Sequence, residues 1–288
     1  MQNQKIDNSF KLTRVGISGL KKPVSVKRPD GRVITVPIVV NVAVDLPSVQ
    51  KGSHLSRNVE VINEIVDKTV REPVAGLEDL VAAIALTLLD KHEYAMYSEV
   101  NLTAEYFLER KLPSGAVSLE PYALQASAQG HREQGVRKCL GVEVTGINAC
   151  PCAMESIRAE FKAQCDDDAL EKFPVITHNQ RNISTLELEI PDGVTVEADE
   201  LIELVESSLS SPSFAILKRN DEARVVINAH ENPNFVEDVV RGILQRVLER
   251  FKEFPDPTRI KVTSRSEESI HKHDAFAERV TTFGELRA

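Results

Sequence analysis

The chain has 288 residues, a formal net charge of −9, 42% hydrophobic residues and 27% charged residues. That balance is globular rather than disordered, the length suits one large domain or two ordinary ones, and the acidity argues against a general nucleic-acid binder. No apolar run approaches a membrane span and the stretch Met1–Asp7 lacks a signal-peptide core, so a cytoplasmic protein with no membrane partner is expected.

Short strands are expected over Leu12–Ile17 and Pro23–Lys27, followed by a turn at Pro29-Asp30-Gly31. Val36, Ile38, Val40, Val42, Val44 and Leu46 then alternate with polar or small residues, the period of a strand with one buried face. The polar loop Lys51–Arg57 carries two basic residues and His54, and Ser56 is placed to cap a helix whose Val59, Ile62, Val66 and Val70 share a face. Pro73 and Gly76 break that helix, and Leu77–Lys91 forms a second. Strands are expected around 100–108, 122–128 and 136–144, completing a β-β-α-α-β-β half.

The hydrophobic alternation then stops at Asn148-Ala149-Cys150-Pro151-Cys152, and a helix-compatible run begins. Pro151 suits a first helical position, having no N–H to lose, which puts Cys150 at a strand-to-helix junction and Cys152 in the first turn. There the helix dipole favours thiolate over thiol. The pair is either reactive or merely two small buried residues. The four cysteines (139, 150, 152, 165) show no disulfide framework and read as reduced thiols. A helix at 151–164, an acidic loop at Asp166–Asp168, a strand at 184–190, helices at 199–210 and 233–251, and strands at 259–265 and 275–282 follow. The fold class is therefore α+β, two halves (1–147 and 148–288) with helices on one side of antiparallel sheet.

Several polar clusters carry candidate chemistry. Thr177-His178-Asn179-Gln180-Arg181 has hydrogen-bonding capacity at every position, and Glu268-Ser269-Ile270-His271-Lys272-His273 places a carboxylate near two imidazoles. Singly, these histidines suit surface roles. Together with Cys150 and Cys152 they make a donor set suited to zinc or ferrous iron, assembled from distant segments rather than from a finger. Lys218-Arg219-Asn220-Asp221-Glu222 reads as a solvated charged junction. Glu237 reads as a first-turn helix acid flanking an apolar stripe. Lys51, His54, Arg57, Arg181, Lys218 and Arg219 are basic groups able to meet a polyanion.

The ordered segments KGSHLSR (51–57), NACPC (148–152), THNQR (177–181), KRNDE (218–222), ENPNFVE (231–237) and ESIHKH (268–273) resemble those of prokaryotic GTP cyclohydrolases of the IB type. The His92-Glu93-Tyr94 segment, the longer inserts and the ending Phe276–Arg279 look more like the archaeal, methanopterin-pathway branch, GTP cyclohydrolase IV. Ser53 and Leu55 in the first motif, and Asn220 where a proline is usual, depart from the pattern. The resemblance implies tandem tunnelling-fold units whose sheets join between subunits into a barrel, in a homo-oligomer (dimer or tetramer) with interfacial active sites. It implies a metal held by Cys150, His178, Glu222 and His271, one Fe(II) per subunit with Zn(II) or Mn(II) as alternatives. Glu237 matches the acid that anchors guanine, and Cys152, Glu268 and His273 match polar positions near the reacting imidazole. The implied reaction takes GTP and water to 7,8-dihydroneopterin 2′,3′-cyclic phosphate, formate and pyrophosphate. A bacterial-type triphosphate product, or a non-catalytic purine- or metal-binding protein on the same fold, are the alternatives.

Overall fold

A computed structural model describes residues 10–162, 164 and 174–288. Cys165 and the acidic stretch Asp166–Asp168 lie outside the described residues. Nine strands and seven helices are present among those described. They are β1 (Leu12–Lys27), β2 (Val33–Leu46), α1 (Leu55–Thr69), α2 (Leu77–Lys91), β3 (Tyr97–Lys111), β4 (Val117–His131), β5 (Gly135–Ala149) and α3 (Pro151–Lys162). Next come β6 (Asn179–Ile190), α4 (Ala198–Glu206), β7 (Ser211–Pro212), α5 (Arg219–Glu231), α6 (Val236–Arg250), β8 (Arg259–Ser266), β9 (Ala275–Thr282) and α7 (Phe283–Arg287). The sheet order is β1-β2-β3-β4-β5-β6-β8-β9, with β7 pairing β5. The α+β class expected from the periodicity is what the chain adopts.

The two short strands expected at the start are one long strand. β1 keeps pairing with β2 through a register shift between Ile17 and Leu20. Gly19 sits in that shift at φ +74°, a conformation costly for any other residue, and its N–H goes to Asn41 Oδ1 at 2.8 Å. Pro23 faces Pro37 across the pair. The β2–β3 ladder runs from Ile38 to Val44, so the N–H missing at Pro37 breaks no bond on that side.

Contacts divide the chain into two compact units. The first comprises Met1–Tyr106, Ala123–Gly141 and Leu188–Glu197. Its core sets Ile38, Val40 and Val42 of β2 with Ile62 of α1 and Leu80 and Ile84 of α2, all buried. The second comprises Phe107–Tyr122, Val142–Glu187 and Ala198–Ala288. In it α6 packs on β8 and β9, burying Val239, Ile243, Val247, Ile260 and Val262. Phe251, Phe254 and Phe283 extend that core as a chain of rings with centroids 5.0 and 5.4 Å apart.

Helix α1 starts earlier than its apolar stripe suggests. Its N-cap is His54 and no side chain caps it, so Ser56 lies inside the helix instead of capping it. The charged junction at 218–222 is also not a loop: it opens α5. That helix shows only Val225, Ala229, His230 and Asp221 buried, too sparse an apolar stripe to announce a helix.

Glu78, in the first turn of α2, is 1% exposed, and its carboxyl oxygens meet no hydrogen-bond partner from any other described residue. The carboxyl folds over Gly76, where a Cβ would lie 2.3 Å from Oε1. Burial, with Asp79 and Glu197 adding to it, pushes the carboxyl up to about 7, against the opposing pull of its own backbone N–H and of Lys138. Between pH 4.5 and about 7 the folded chain keeps a proton that the unfolded chain has released, so stability falls as pH rises through this window. The full loss is about 3 kcal/mol above it, at 1.36 kcal/mol per pKa unit. Glu78→Gln is expected to flatten this window. Denaturant midpoints at pH 5 and pH 8 check it: the wild type should lose stability between them relative to the variant, and equal slopes for both proteins would refute the assignment.

Candidate active site

Strand β5 ends at Ala149, and the two peptide groups at its end must find partners outside the strand. Cys150 N–H donates to His178 O at 3.1 Å, and Ala149 O accepts from Asn234 N–H at 3.2 Å. Ala149 N–H is taken by Ser210 Oγ at 3.2 Å. Cys150 O then accepts from Met154 N–H at 3.2 Å, opening α3 with Pro151 as its first residue. Cys150 is half-buried, while Cys152 in the first turn is exposed. Among the described residues neither forms a disulfide.

The same bonds tie three sequence-distant segments together: 148–152, 177–181 and 231–237. A fourth joins through side chains. Gln180 Oε1 lies 3.0 Å from His178 Nδ1, and Gln180 Nε2 donates to Glu268 Oε1 at 3.0 Å. His178 and Glu268 are nearly enclosed, at 11% and 12% side-chain exposure, with Nδ1 and Oε2 3.9 Å apart. Because an ionised carboxylate only accepts, Gln180 must turn its NH₂ to Glu268 and its carbonyl to His178. Nδ1 then carries a hydrogen toward Gln180 Oε1. Glu267 N–H donates to Arg181 O at 2.9 Å, closing the seam between 177–181 and 267–268.

The fifth segment is more distant. Asp221, 2% exposed, is the anchor of α5: it accepts from Ser114 N–H at 2.7 Å and from Lys218 N–H at 3.4 Å. Glu222, Lys218 and Arg219 are exposed beside it. Asn220 falls in the first helical turn, where a backbone N–H needs no intrahelical acceptor, so the departure from proline leaves the turn intact. At the other end of α5, buried His230 reaches Thr177 O through Nε2 at 2.9 Å. Glu222 is eight positions earlier, about 12 Å along the axis.

Glu237 stands in the first turn of α6, where the dipole favours a carboxylate, and it is exposed. His271 and His273 lie in the irregular β8–β9 connection, neither strand nor helix. Both are exposed, and their rings stack at 5.1 Å and 16°. Arg181 is exposed. Lys51, His54 and Arg57 belong to the first unit, Lys51 and the N-cap His54 on the loop entering α1 and Arg57 in its first turn, where Arg57 Nη1 donates to Lys91 O at 2.8 Å.

Thiol, imidazole and carboxylate are apt donors for a borderline cation. Among the described residues, however, no group of three or more His, Cys, Asp and Glu side chains is placed to hold an ion. Sequence reasoning did not single out Gln180, Asn234 or His230 as the residues that hold the segments together. The first two lie inside motifs, so their presence was legible, but a spacing of residues does not tell which bond crosses to which segment.

The chain matches, over residues 1–277, the family described as type I GTP cyclohydrolase folE2. GTP cyclohydrolase MptA 2 of Methanocella arvoryzae is 42% identical over 300 aligned residues, covering 100% of this chain and 97% of that protein. GTP cyclohydrolase MptA of Methanocaldococcus jannaschii is 41% identical, covering 100% of this chain and 96% of its own length. The chain belongs to the type I GTP cyclohydrolase family. In fold it is similar to the uricase of Arthrobacter globiformis, at a TM-score of 0.53 and 8% identity over 94% of this chain and 93% of that one. The architecture is thus of tunnelling-fold type, and the likeness to uricase concerns fold alone.

Gln180→Ala strands Glu268 and His178 together. It is expected to lower formate release from GTP by roughly 10–100-fold, the equivalent of the 1–3 kcal/mol that unpaired enclosed groups cost. Steady-state turnover beside a thermal melt checks it, and unchanged turnover would refute the bridging role.

Proposed function

We propose that the chain converts GTP and water to 7,8-dihydroneopterin 2′,3′-cyclic phosphate, formate and pyrophosphate, the opening step of a methanopterin-type pterin pathway in the cytoplasm. The observation that carries this reading is the convergence of 148–152, 177–181, 231–237 and 268 on one strand end, in a chain matched along its length by relatives named GTP cyclohydrolase MptA. The branch-like His92-Glu93-Tyr94 segment supports the cyclic-phosphate product over retention of the triphosphate.

In this reading Glu237 accepts the N–H donors of guanine. A base without those donors would leave the carboxylate unpaired in the complex, so one acid gives strong discrimination. Cys152, Glu268 and His273 move protons around the opening imidazole ring, and Lys51, His54, Arg57, Arg181, Lys218 and Arg219 meet the phosphates. Cys150, His178, Glu222 and His271 hold one divalent ion per subunit, Fe(II), with Zn(II) or Mn(II) able to replace it. Support for the ion comes from donor chemistry, since the four residues do not form a closed set within a single chain. The working form is a homo-oligomer, dimer or tetramer, in which sheets of tandem units join into a barrel and the active sites lie between subunits.

Anaerobic incubation with GTP and Fe(II) tests the reaction. Formate, pyrophosphate and a pterin cyclic phosphate are expected. A pterin triphosphate would transfer the chain to the alternative product, and absence of formate would leave only purine or metal binding. Full activity after rigorous chelation would remove the ion from the proposal.

Glu237→Ala is expected to weaken GTP binding by roughly 2–5 kcal/mol, the range for truncating one partner of a buried charged hydrogen-bond pair. Calorimetric titration with GTP measures it. Unchanged affinity and turnover would make Glu237 a surface acid serving only the dipole of α6.

A further inference from the structure

Ser53 of the 51–57 segment and the His92-Glu93-Tyr94 stretch, far apart in sequence, are bonded to each other. Ser53 Oγ lies 2.8 Å from Tyr94 Oη. Tyr94 Oη lies 2.8 Å from His92 Nδ1, and His92 Nε2 lies 2.7 Å from Asn58 Oδ1. Ser53, His92 and Asn58 are 5%, 0% and 0% exposed. Asn58 is in α1, so the chain of bonds spans the loop and the helix that the loop enters.

The directions are fixed by donor count. Burial, then the charges of Arg57 and His54, push His92 down to about 4, so the ring is neutral at working pH and has one N–H. With Asn58 Oδ1 accepting, that hydrogen is on Nε2, and Nδ1 accepts from Tyr94. The phenol has then spent its only hydrogen, so Ser53 donates to it. Along the run Ser53, Tyr94 and His92 each use their one side-chain hydrogen, and Asn58 Oδ1 accepts the last, while Asn58 Nδ2 meets no partner among the described residues. The far end is immobile. His92 N–H donates to Leu88 O at 2.9 Å, ending α2, and His92 O accepts from Ala95 N–H at 2.8 Å and from Arg132 Nη2 at 3.1 Å. The near end is the loop bearing Lys51 and His54 and the first turn of α1 bearing Arg57, with Arg57 tied to Lys91 O at the end of α2.

We propose that Ser53, Tyr94, His92 and Asn58 are positioning residues for the polyphosphate of the substrate, fixing the 51–57 loop to the end of α2 so that its basic groups meet the phosphates in one register. This rests on the reading of Lys51, His54 and Arg57 as phosphate-binding groups. None of the four needs to touch the substrate. Their effect is preorganisation: a loop already held in place loses less freedom when an anion binds. The hydroxyl of Tyr94 is the critical link, because the ring itself packs edge-on against His92 at 5.5 Å and would remain in a phenylalanine.

The test uses the full chain with Tyr94→Phe, Ser53→Ala and the double variant, with inorganic tripolyphosphate as the calorimetric probe and GTP and guanosine as kinetic ones. Each single variant should weaken tripolyphosphate binding and raise KM for GTP by roughly 5–20-fold, the scale of one stranded buried pair. Inhibition by guanosine should not change. The double variant should lose no more than the worse single one, since either break opens the same chain. Unchanged tripolyphosphate affinity in both single variants overturns the proposal, and so does an equal loss for tripolyphosphate and guanosine, which would be general loosening. Should Tyr94→Phe fold poorly, Ser53→Ala at the loop end carries the same comparison. A wild-type chain that binds tripolyphosphate but releases no formate would sink the cyclohydrolase reaction and leave this inference to the binding data.

Discussion

The structure around the candidate site depends on how one strand is allowed to end. A buried peptide group without a partner costs about as much as a lost hydrogen bond, so the last residues of β5 must bond to something. The partners they take are His178 O, Asn234 N–H and Ser210 Oγ. Each comes from a segment far away in sequence, and the first two bring a chemically useful neighbour. His178 follows from the first, and the second precedes Phe235 and the first turn of α6, where Glu237 stands. Backbone satisfaction and assembly of the site are therefore one event. A side chain at 150 is free to be a thiol because its backbone, not its sulfur, does the joining.

What could be read from sequence follows the strength of the periodic signal. Alternation in β2 and the apolar stripes of α2 and α6 fixed those elements to within a few residues, because one face of each is truly buried. Helix α5 gave no such signal. It buries few residues and leaves Val226 and Ile227 partly exposed, so its polar opening passed for a loop. The start of α1 was misplaced for another reason: an N-terminus held by tertiary bonds needs no capping serine. The motif order pointed to the family, and the family match agrees with that; it named candidate residues only. It could not disclose that Gln180 joins His178 to Glu268, because that bond depends on the register between β6 and the end of β8.

Sequence and fold comparisons carry different kinds of information here. Identity above 40% along the whole length shows the family. Likeness at 8% identity keeps only the layering of helices on sheet. A fold hosts many chemistries, so the uricase likeness says how the chain is built and nothing about which side chain does what. Assignment of roles has to come from the bonds at the end of β5 and from the variants that break them.

The register between β6 and β8 is itself specified by polar residues. The buried face of these strands is apolar at Leu186, Ile260 and Val262, then turns polar toward the site. Asn182 Nδ2 donates to Ser264 Oγ at 2.8 Å and Ser266 Oγ at 3.0 Å, and Ser184 Oγ donates to Asn182 Oδ1 at 2.7 Å. All four residues are at most 1% exposed. An apolar set at these positions would bury as well but would tolerate a shifted pairing, since hydrophobic contact has no direction. A shift here would strand several enclosed donors at once, each at about 1–3 kcal/mol. His178 lies four residues before Asn182, and Glu268 two residues after Ser266. The polar seam thus excludes the slipped registers in which Gln180 could not reach both, and the reach of one amide across the site follows from it.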